Sequence, residues 1–526
     1  MKKRQSIYIS IFFVLLSIVS CKVGPNYQKP EIVSPEIFKY ENNKIDSIID
    51  LKWWDIFQDP ILDSLIKVGL RENRDLLIAA SRVNEARANL GFNKADYGPK
   101  IGVQASATGT NNIAGNVLNN NIKSFGTSAT FNWEIDFWGK YRRSTEAARA
   151  ALVGSFYGKR AVEIGLISEI ARNYFQLMNY KTSLKISKNT VEIRNNALTI
   201  IQNRFDKGYT NIIDVNQAQI QKAIAEATIP VYRRQIAFTE NNLSVLLGKY
   251  SDSIPVHSSY KTNPIPQNIP SGIPSEMLQR RPDILQSEQL YKQQNAMIGV
   301  ATAMRFPSIS LTGVLGVGSN EMSSLLNSGL GWSAGANLLS PLFEWGKNAR
   351  RVDMEREKAK QALFSYEKNI LLAFSDVNNA LTEISTYKDE LVAYKIMFDA
   401  AKNASKLSYE RYYQGVTSYL EVILNQQTEF EAELSYTANY QDLLISYVNL
   451  YQALGGGWIS EEELDKYAEQ VANEQGVDVN SIDKNTLIYQ GQVVDYYLTP
   501  EQEKQRKEIA KAQRKLEKQQ RKTTRQ

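Results

Sequence analysis

The sequence predicts an α+β membrane fold: four amphipathic strands per chain, carried on very long helices, with the arrangement written twice in tandem. Three observations predict it. Two proline-free stretches open on the same tripeptide, Trp138-Gly139-Lys140 and Trp345-Gly346-Lys347, and run to about Asn203 and Tyr412. Two pairs of segments alternate apolar and polar residues at a period of two, which is the strand signature. The leader ends in the sole cysteine of the chain, Cys21.

The leader comes first in order. Lys2-Lys3-Arg4 form a basic start and Ile7 to Val19 an apolar run too short for an ordinary transmembrane helix. Ile18-Val19-Ser20-Cys21 resembles the lipobox of bacterial lipoproteins, in which the cysteine becomes the lipidated mature N-terminus. Residues 1–20 are therefore read as a signal peptide and 21–58 as a lipidated N-terminal segment, mostly irregular. Lys22 is not the aspartate that holds enteric lipoproteins at the inner membrane, which favours the outer membrane.

Asp59-Pro60 supplies an N-cap and an N1 proline for a first helix running to about Tyr97, with Leu62, Leu65, Ile66, Leu70, Ile78, Val83, Ala86 and Leu90 on one face. Pro99 to Thr110 alternates Ile101, Val103, Ala105 and Ala107 with polar or small residues. After an Asn-rich loop, Phe131, Trp133, Ile135 and Phe137 alternate with Asn132, Glu134 and Asp136. The long stretch from Trp138 follows, with Ala147, Ala150, Ala151, Val153, Ile164, Ile167, Ile170, Ala171, Tyr174, Phe175 and Met178 at helical spacing. As one helix it spans about 95 Å at 1.5 Å per residue, far beyond the three or four turns of an average helix. Gly208 ends it, and Thr210 or Asn211 caps a partner helix that reaches Leu247-Gly248, with a kink expected at Pro230.

The same order then recurs. Arg204 matches Arg411, Gly208 matches Gly415, Thr210 matches Thr417, Asp214 matches Glu421 and Leu247-Gly248 matches Leu454-Gly455, all 207 residues apart. Upstream the offset is one greater, pairing Asp75 with Asp283 and Pro99 with Pro307. A period this long signals two copies of a folding unit. The repeats are placed at 59–250 and 283–458, joined by a Pro-rich linker at 251–282. The second strand pair is expected over Pro307 to Ser319 and Gly331 to Phe343. Residues 459–526 form a charged extension outside the duplication.

Composition narrows the function. One histidine and one cysteine leave no disulfide framework, little for a zinc site and almost no material for Ser-His or Cys-His catalysis. No acid, base and nucleophile stand together, so an enzyme is the weakest option. The net charge of +6 resides in 501–526, whose ten Lys/Arg outnumber four Glu by that amount. The body is near neutral, and nothing points to nucleic acid.

Amphipathic strands in a lipoprotein suit an outer-membrane β-barrel. Four strands are too few to close one, and an open edge cannot lie in hydrocarbon. Chains must share the barrel: two would give eight strands with a filled interior, three would give twelve and a pore.

The marks Cys21-x-x-Gly24-Pro25-x-Tyr27, Trp53-Trp54-x-x-Phe57-x-Asp59-Pro60, Asp136-Phe137-Trp138-Gly139-Lys140, Arg280-Arg281-Pro282-Asp283-Ile284 and Leu454-Gly455-Gly456-Gly457-Trp458 are similar to those of the TolC-like outer-membrane factors. The likeness is to the lipoprotein branch that serves resistance-nodulation-division (RND) efflux systems, and it covers residues 21 to about 458. The resemblance implies a homotrimer: a twelve-stranded barrel in the outer membrane, continuous with a periplasmic α-helical coiled-coil barrel. It implies a passive exit duct for drugs or other small molecules. An inner-membrane RND transporter and a periplasmic adaptor supply energy and cargo, and there is no cofactor beyond the covalent lipid on Cys21. The alternatives are a type I protein-secretion or metal-ion efflux channel, and a structural lipoprotein that conducts nothing.

The resemblance also places the periplasmic tips at the helix turns. Gly208, Thr210, Gly415 and Thr417 match the adaptor-docking positions. Arg204, Asp214, Arg411, Tyr419, Leu420 and Glu421 match the gate, with the two arginines able to pair with the acids. Relatives often carry an acid five residues after the tyrosine matched by Tyr419; here Leu424 stands there.

Overall fold

The computed structural model describes residues 22–31, 57–111, 121–256, 280–327 and 329–456. Cys21, the linker from 257 to 279, Trp458 and the charged extension lie outside them.

The first half of the chain begins with two helices where the sequence predicts one. Asp59 caps α1 (Pro60–Glu72): its carboxylate accepts from the Ile61 and Leu62 amides. The helix then stops at Asn73, whose ψ of 131° is extended. The Asn73 side chain accepts from the Leu76 amide at 3.0 Å and so starts α2 (Arg74–Ala95). Its Nδ2 donates to the Leu246 carbonyl at 2.9 Å. The break resets the helical phase. Leu76, Ala79 and Val83 face inward on α2, whereas Ile78, placed on the apolar face by an unbroken helix, is 50% exposed.

β1 (Lys100–Asn111) and β2 (Asn121–Ile135) follow. α3 (Lys140–Asp206) is one uninterrupted helix of 67 residues. At 1.5 Å per residue it is about 100 Å long. Of its expected apolar stripe, Ile164, Ile167, Ile170, Ala171, Tyr174, Phe175 and Met178 are all buried. α4 (Ile212–Leu246) has 35 residues and contains Pro230 without a break in the assigned helix.

The second half repeats the order. α5 (Pro282–Ala303) leads to β3 (Ser308–Ser319), a short 3₁₀ turn and β4 (Gly331–Leu339). β4 ends before Phe343, the limit set by the sequence pattern, because Pro341 cannot donate to a ladder. α6 (Lys347–Tyr413) has 67 residues and α7 (Tyr419–Ala453) 35, the lengths of α3 and α4. Among the described residues, no helix is long and apolar enough to cross a membrane.

Two compact units draw on both halves. One holds Met1–Val33, Ala80–Gly158 and Asp283–Leu371, and with them all four strands. These form a single antiparallel sheet in the order β1-β2-β3-β4. Its register sorts the side chains cleanly. Ile101 lies opposite Phe131, and Phe131 opposite Gly313; Trp133 lies opposite Leu311, and Leu311 opposite Ala336. That face is apolar. The other carries Gly102, Thr130, Val314 and Ser333 in one row and Gln104, Ser128, Gly316 and Gly331 in the next. Ile101 and Val103 are 76% and 82% exposed, so the apolar face is bare in the single chain.

The two hairpins share a register. Lys100 pairs with Asn132 and Ser308 with Leu339. Moving the first strand by 208 and the second by 207 turns one pair into the other.

The same unit straps down residues 22–27. Arg143 is fully buried, with Nε donating to the Val23 carbonyl (3.0 Å) and Nη2 to Gly24 O and Asn26 Oδ1 (2.9 Å each). Tyr27 donates to the Glu288 carboxylate at 2.9 Å and packs edge-on against Tyr291. Gly24 approaches Gly299 so closely that a Cβ on it would sit 2.5 Å from the Gly299 Cα.

The second unit comprises Ser34–Ala79, Lys159–Pro282 and Leu372–Gln526. Tyr174, Phe175, Leu177, Met178, Leu443 and Leu444 are among its fully buried residues. Tyr174 donates to the capping carboxylate of Asp59 at 2.7 Å. Arg281, from the Arg-Arg-Pro-Asp motif, donates to the Ala453 carbonyl at 2.9 Å and so closes the C-terminal end of α7.

Candidate functional site

The candidate site is the pair of turns that join α3 to α4 and α6 to α7. All of it lies in the second unit. Both turns use the same chemistry. Gly208 and Gly415 each have φ of 76°, a left-handed conformation that costs a Cβ-bearing residue about 1 kcal/mol. The Gly208 amide donates to Phe205 O at 2.8 Å and Tyr209 N to Arg204 O at 2.8 Å. In the second turn, Gly415 N donates to Tyr412 O at 3.0 Å and Val416 N to Arg411 O at 2.9 Å. This is the bonding of a Schellman C-cap, made twice.

Each turn then fastens a threonine to an acid four residues on. The Thr210 hydroxyl donates to the Asp214 carboxylate, and the Thr417 hydroxyl to Glu421. Asn211 caps α4 by accepting from Ile213 N at 3.3 Å. Ser418 stands at the start of α7 without a side-chain cap bond.

The turns differ in their arginines. Arg411 pairs with Glu421 at 3.4 Å, both groups substantially exposed. Arg204 instead lies over the Tyr412 ring, 4.9 Å from its centroid. One arginine thus meets an acid as the sequence suggests; among the described residues, Arg204 makes no ion pair with Asp214. The Tyr412 ring packs against Tyr419 at 5.3 Å. Tyr419, Ile201, Val215, Ala218, Val422 and Ile423 form the buried knot under both turns, with Phe205 and Tyr409 packed on it. Burial, with Tyr412 nearby, pushes the Tyr419 hydroxyl up to about 12 against the opposing pull of Arg194. Burial also raises Tyr412, opposed by Arg204.

Leu420 is 50% exposed, and Val416, Tyr413, Tyr209, Ile212, Ile213 and Leu424 are exposed as well. The turns therefore present apolar side chains beside the exposed Arg411–Glu421 pair, over a buried apolar knot.

Sequence reasoning missed Arg194. It is 2% exposed and joins three helices: Nη1 donates to the Gln221 carbonyl of α4 and Nη2 to Gln427 of α7 at 3.0 Å. The guanidinium lies 5.3 Å from the Phe430 ring. Desolvation lowers its pKa. No local pattern marks it, because its partners are 27 and 233 residues away.

The comparisons with known proteins agree on one description. The family model "Outer membrane efflux protein" matches residues 65–249 and 273–456. The chain is 30% identical over 460 residues to "Cation efflux system protein CusC" of Escherichia coli O6:H1, covering 85% of this chain and 98% of that one. It is 30% identical over 472 residues to "Probable outer membrane lipoprotein SilC" of Salmonella typhimurium, covering 87% and 100%. It is 31% identical over 464 residues to "Solvent efflux pump outer membrane protein SrpC" of Pseudomonas putida, covering 85% and 97%. Among solved structures, the outer-membrane channel OprN superposes with a TM-score of 0.76 at 28% identity, covering 83% of this chain and 100% of that one.

Proposed function

The chain belongs to the outer membrane efflux protein family, and from that membership we propose a finer reading of how it works. It is an outer-membrane efflux channel, the exit duct of a tripartite pump. Three copies close a twelve-stranded barrel in the outer membrane, and their long helices continue it as a tunnel through the periplasm. The chain arose by duplication of one unit, with repeats at 59–250 and 283–458. A lipid on Cys21 anchors the N-terminal segment; the lipoprotein name of one relative and the strap on residues 22–27 support this.

The observation that carries the reading is the open four-stranded sheet. It has one apolar, exposed face and two strands, β1 and β4, with no further partner among the described residues. Such a sheet is stable in hydrocarbon only when its edges are paired. The opposite face carries small, uncharged residues along most of its length and suits a wide aqueous lumen.

At the far ends of the long helices, Gly208, Thr210, Gly415 and Thr417 dock a periplasmic adaptor, and Arg204, Asp214, Arg411, Tyr419, Leu420 and Glu421 hold the tip closed. The adaptor connects the tip to an inner-membrane RND transporter, which selects the cargo. Relatives at nearly equal identity are named for cations and for solvents, so both drug-like molecules and metal cations are candidate cargoes.

A photoreactive residue at Thr417 in intact cells, read by mass spectrometry, tests the partner assignment. Recovery of an adaptor with an RND transporter is expected. An ATP-driven exporter in its place would move the function to type I secretion.

A further inference from the structure

The duplication writes twice the groove that straps down residues 22–27, and that strap fills the first copy of it. There the grip comes from α3 and α5. Arg143 holds the Val23 and Gly24 carbonyls and Asn26, Glu146 pairs with Lys22 at 2.6 Å, and Asn295 donates to the Pro25 carbonyl at 3.3 Å. Glycines make the room. A Cβ on Gly139 would sit 3.2 Å from the Lys22 Cα, and Gly24, with φ of 90°, lies against Gly299.

The same parts recur on α6 and α2. Gly346 stands 207 residues after Gly139 and has φ of 76°. Arg350 and Asp353 stand 207 residues after Arg143 and Glu146, and Gly91 stands 208 before Gly299. Arg350 pairs with Asp353 at 3.4 Å, as Arg143 does with Glu146 at 3.0 Å. Among the described residues, however, a Cβ on Gly91 or on Gly346 would meet nothing within 4 Å beyond its own local backbone. The Arg350 side chain is 86% exposed where Arg143 is fully buried. The first turn of α6 also gathers positive charge. Lys347, Arg350 and Arg351 stand at its start with no acid in that turn, at a helix end whose dipole favours anions.

We propose that Gly476 to Val479 of the C-terminal extension occupy this second groove, between α6 of their own chain and α2 of the next copy, and so latch neighbouring copies together. The inference rests on the closed-barrel reading above, in which α6 meets the next copy's α2 as α3 meets α5 within a chain. Gly476-Val477-Asp478 repeats the pattern of Gly24-Pro25-Asn26: a glycine for the close approach, then an acceptor two residues on for the arginine. The other glycine beyond Trp458, Gly491, has Val493 at that place. The next position changes as a matched pair. Val479 stands in the place of Tyr27 and Ala80 in that of its partner Glu288, so two apolar residues replace a hydrogen-bonded pair. Arg87 stands in the place of Asn295 and can still donate to a carbonyl. Charge agrees over a longer range. Residues 459–500 hold nine Asp/Glu and two Lys, against the three cations that open α6. The reach is sufficient as well. Arg281 ties the Ala453 carbonyl, at the end of α7, to Asp376 of α6 at 3.0 Å. From Asp376 to Arg350 the helix rises about 39 Å at 1.5 Å per residue. The chain from Gly456 to Gly476 spans up to about 66 Å when extended.

The test uses the full-length chain in intact cells, with a photoreactive residue at Val479 and the linked peptides identified by mass spectrometry. A link to α2 of another copy is expected, visible as a band of two joined chains. Asp478→Arg and Arg350→Asp, each alone, are expected to remove most of that band, and the two together to restore it. A multimer that links elsewhere or not at all overturns the latch and leaves the channel standing. So does a band that neither single variant weakens, or one that the double variant fails to restore. Protein that migrates only as a monomer overturns the barrel reading and the latch with it. Ending the chain at Trp458 gives a second readout: the multimer is expected to separate at a lower temperature, and an unchanged temperature overturns the latching role.

Discussion

Arg194 is the residue on which the tip most visibly depends. One guanidinium ties α3 to α4 and α7, and its Nε is buried without a hydrogen-bond partner. Removing it loses two charge-assisted bonds, each worth about 1.5–3 kcal/mol. Arg194→Met is expected to loosen the turns and raise the open time of single channels; unchanged gating would contradict the role. Gly208 and Gly415 carry a separate prediction. Replacing either by Val puts a β-branched residue at φ of 76° and is expected to cost about 1–2 kcal/mol, read as a lower melting temperature. Asp442 gives a pH test. Burial raises its pKa, with Glu390 and Glu383 adding to the shift and the Gln441 amide opposing it. A carboxylate raised in the folded state is penalised once ionised, so its cost appears as pH rises through the folded value and vanishes below the unfolded one. Asp442→Asn is expected to stabilise the protein at neutral pH, with the gain disappearing in acid. At this scale the sequence revealed the turn residues, since the repeat displays each of them twice. It hid Arg194 and Tyr412, whose roles come from partners on other helices.

At the scale of elements, the long helices were legible because nothing interrupts them. Sixty-seven residues without proline, on a stripe of small and apolar side chains, leave few alternatives to a helix. The break at Asn73 was not legible. Asn is only mildly unfavourable within a helix, and what stops α1 is a bond to the Leu246 carbonyl, 173 residues away. Asn73→Ala removes both that bond and the cap on α2, and is expected to cost about 1–2 kcal/mol in thermal unfolding. The strands were found by their period of two, but their union in one sheet was not. Alternation tells which face of a strand is apolar and says nothing of which hairpin lies beside which. The β2–β3 register supplies that missing link.

For the whole molecule, the duplication explains why one chain carries two of everything except closure. Each half ends in an edge that the other half covers once, between β2 and β3, and the β4 and β1 edges remain. A channel assembled from such chains is closed only by its copies, while its cargo is chosen elsewhere. The central claim is therefore that the assembled protein conducts. The direct measurement is single-channel current across a planar bilayer, using full-length protein purified in mild detergent. Discrete conductance steps, larger and longer-lived in Arg194→Met, are the predicted result. A well-folded multimer that inserts and passes no current would contradict the account and leave a structural lipoprotein in its place.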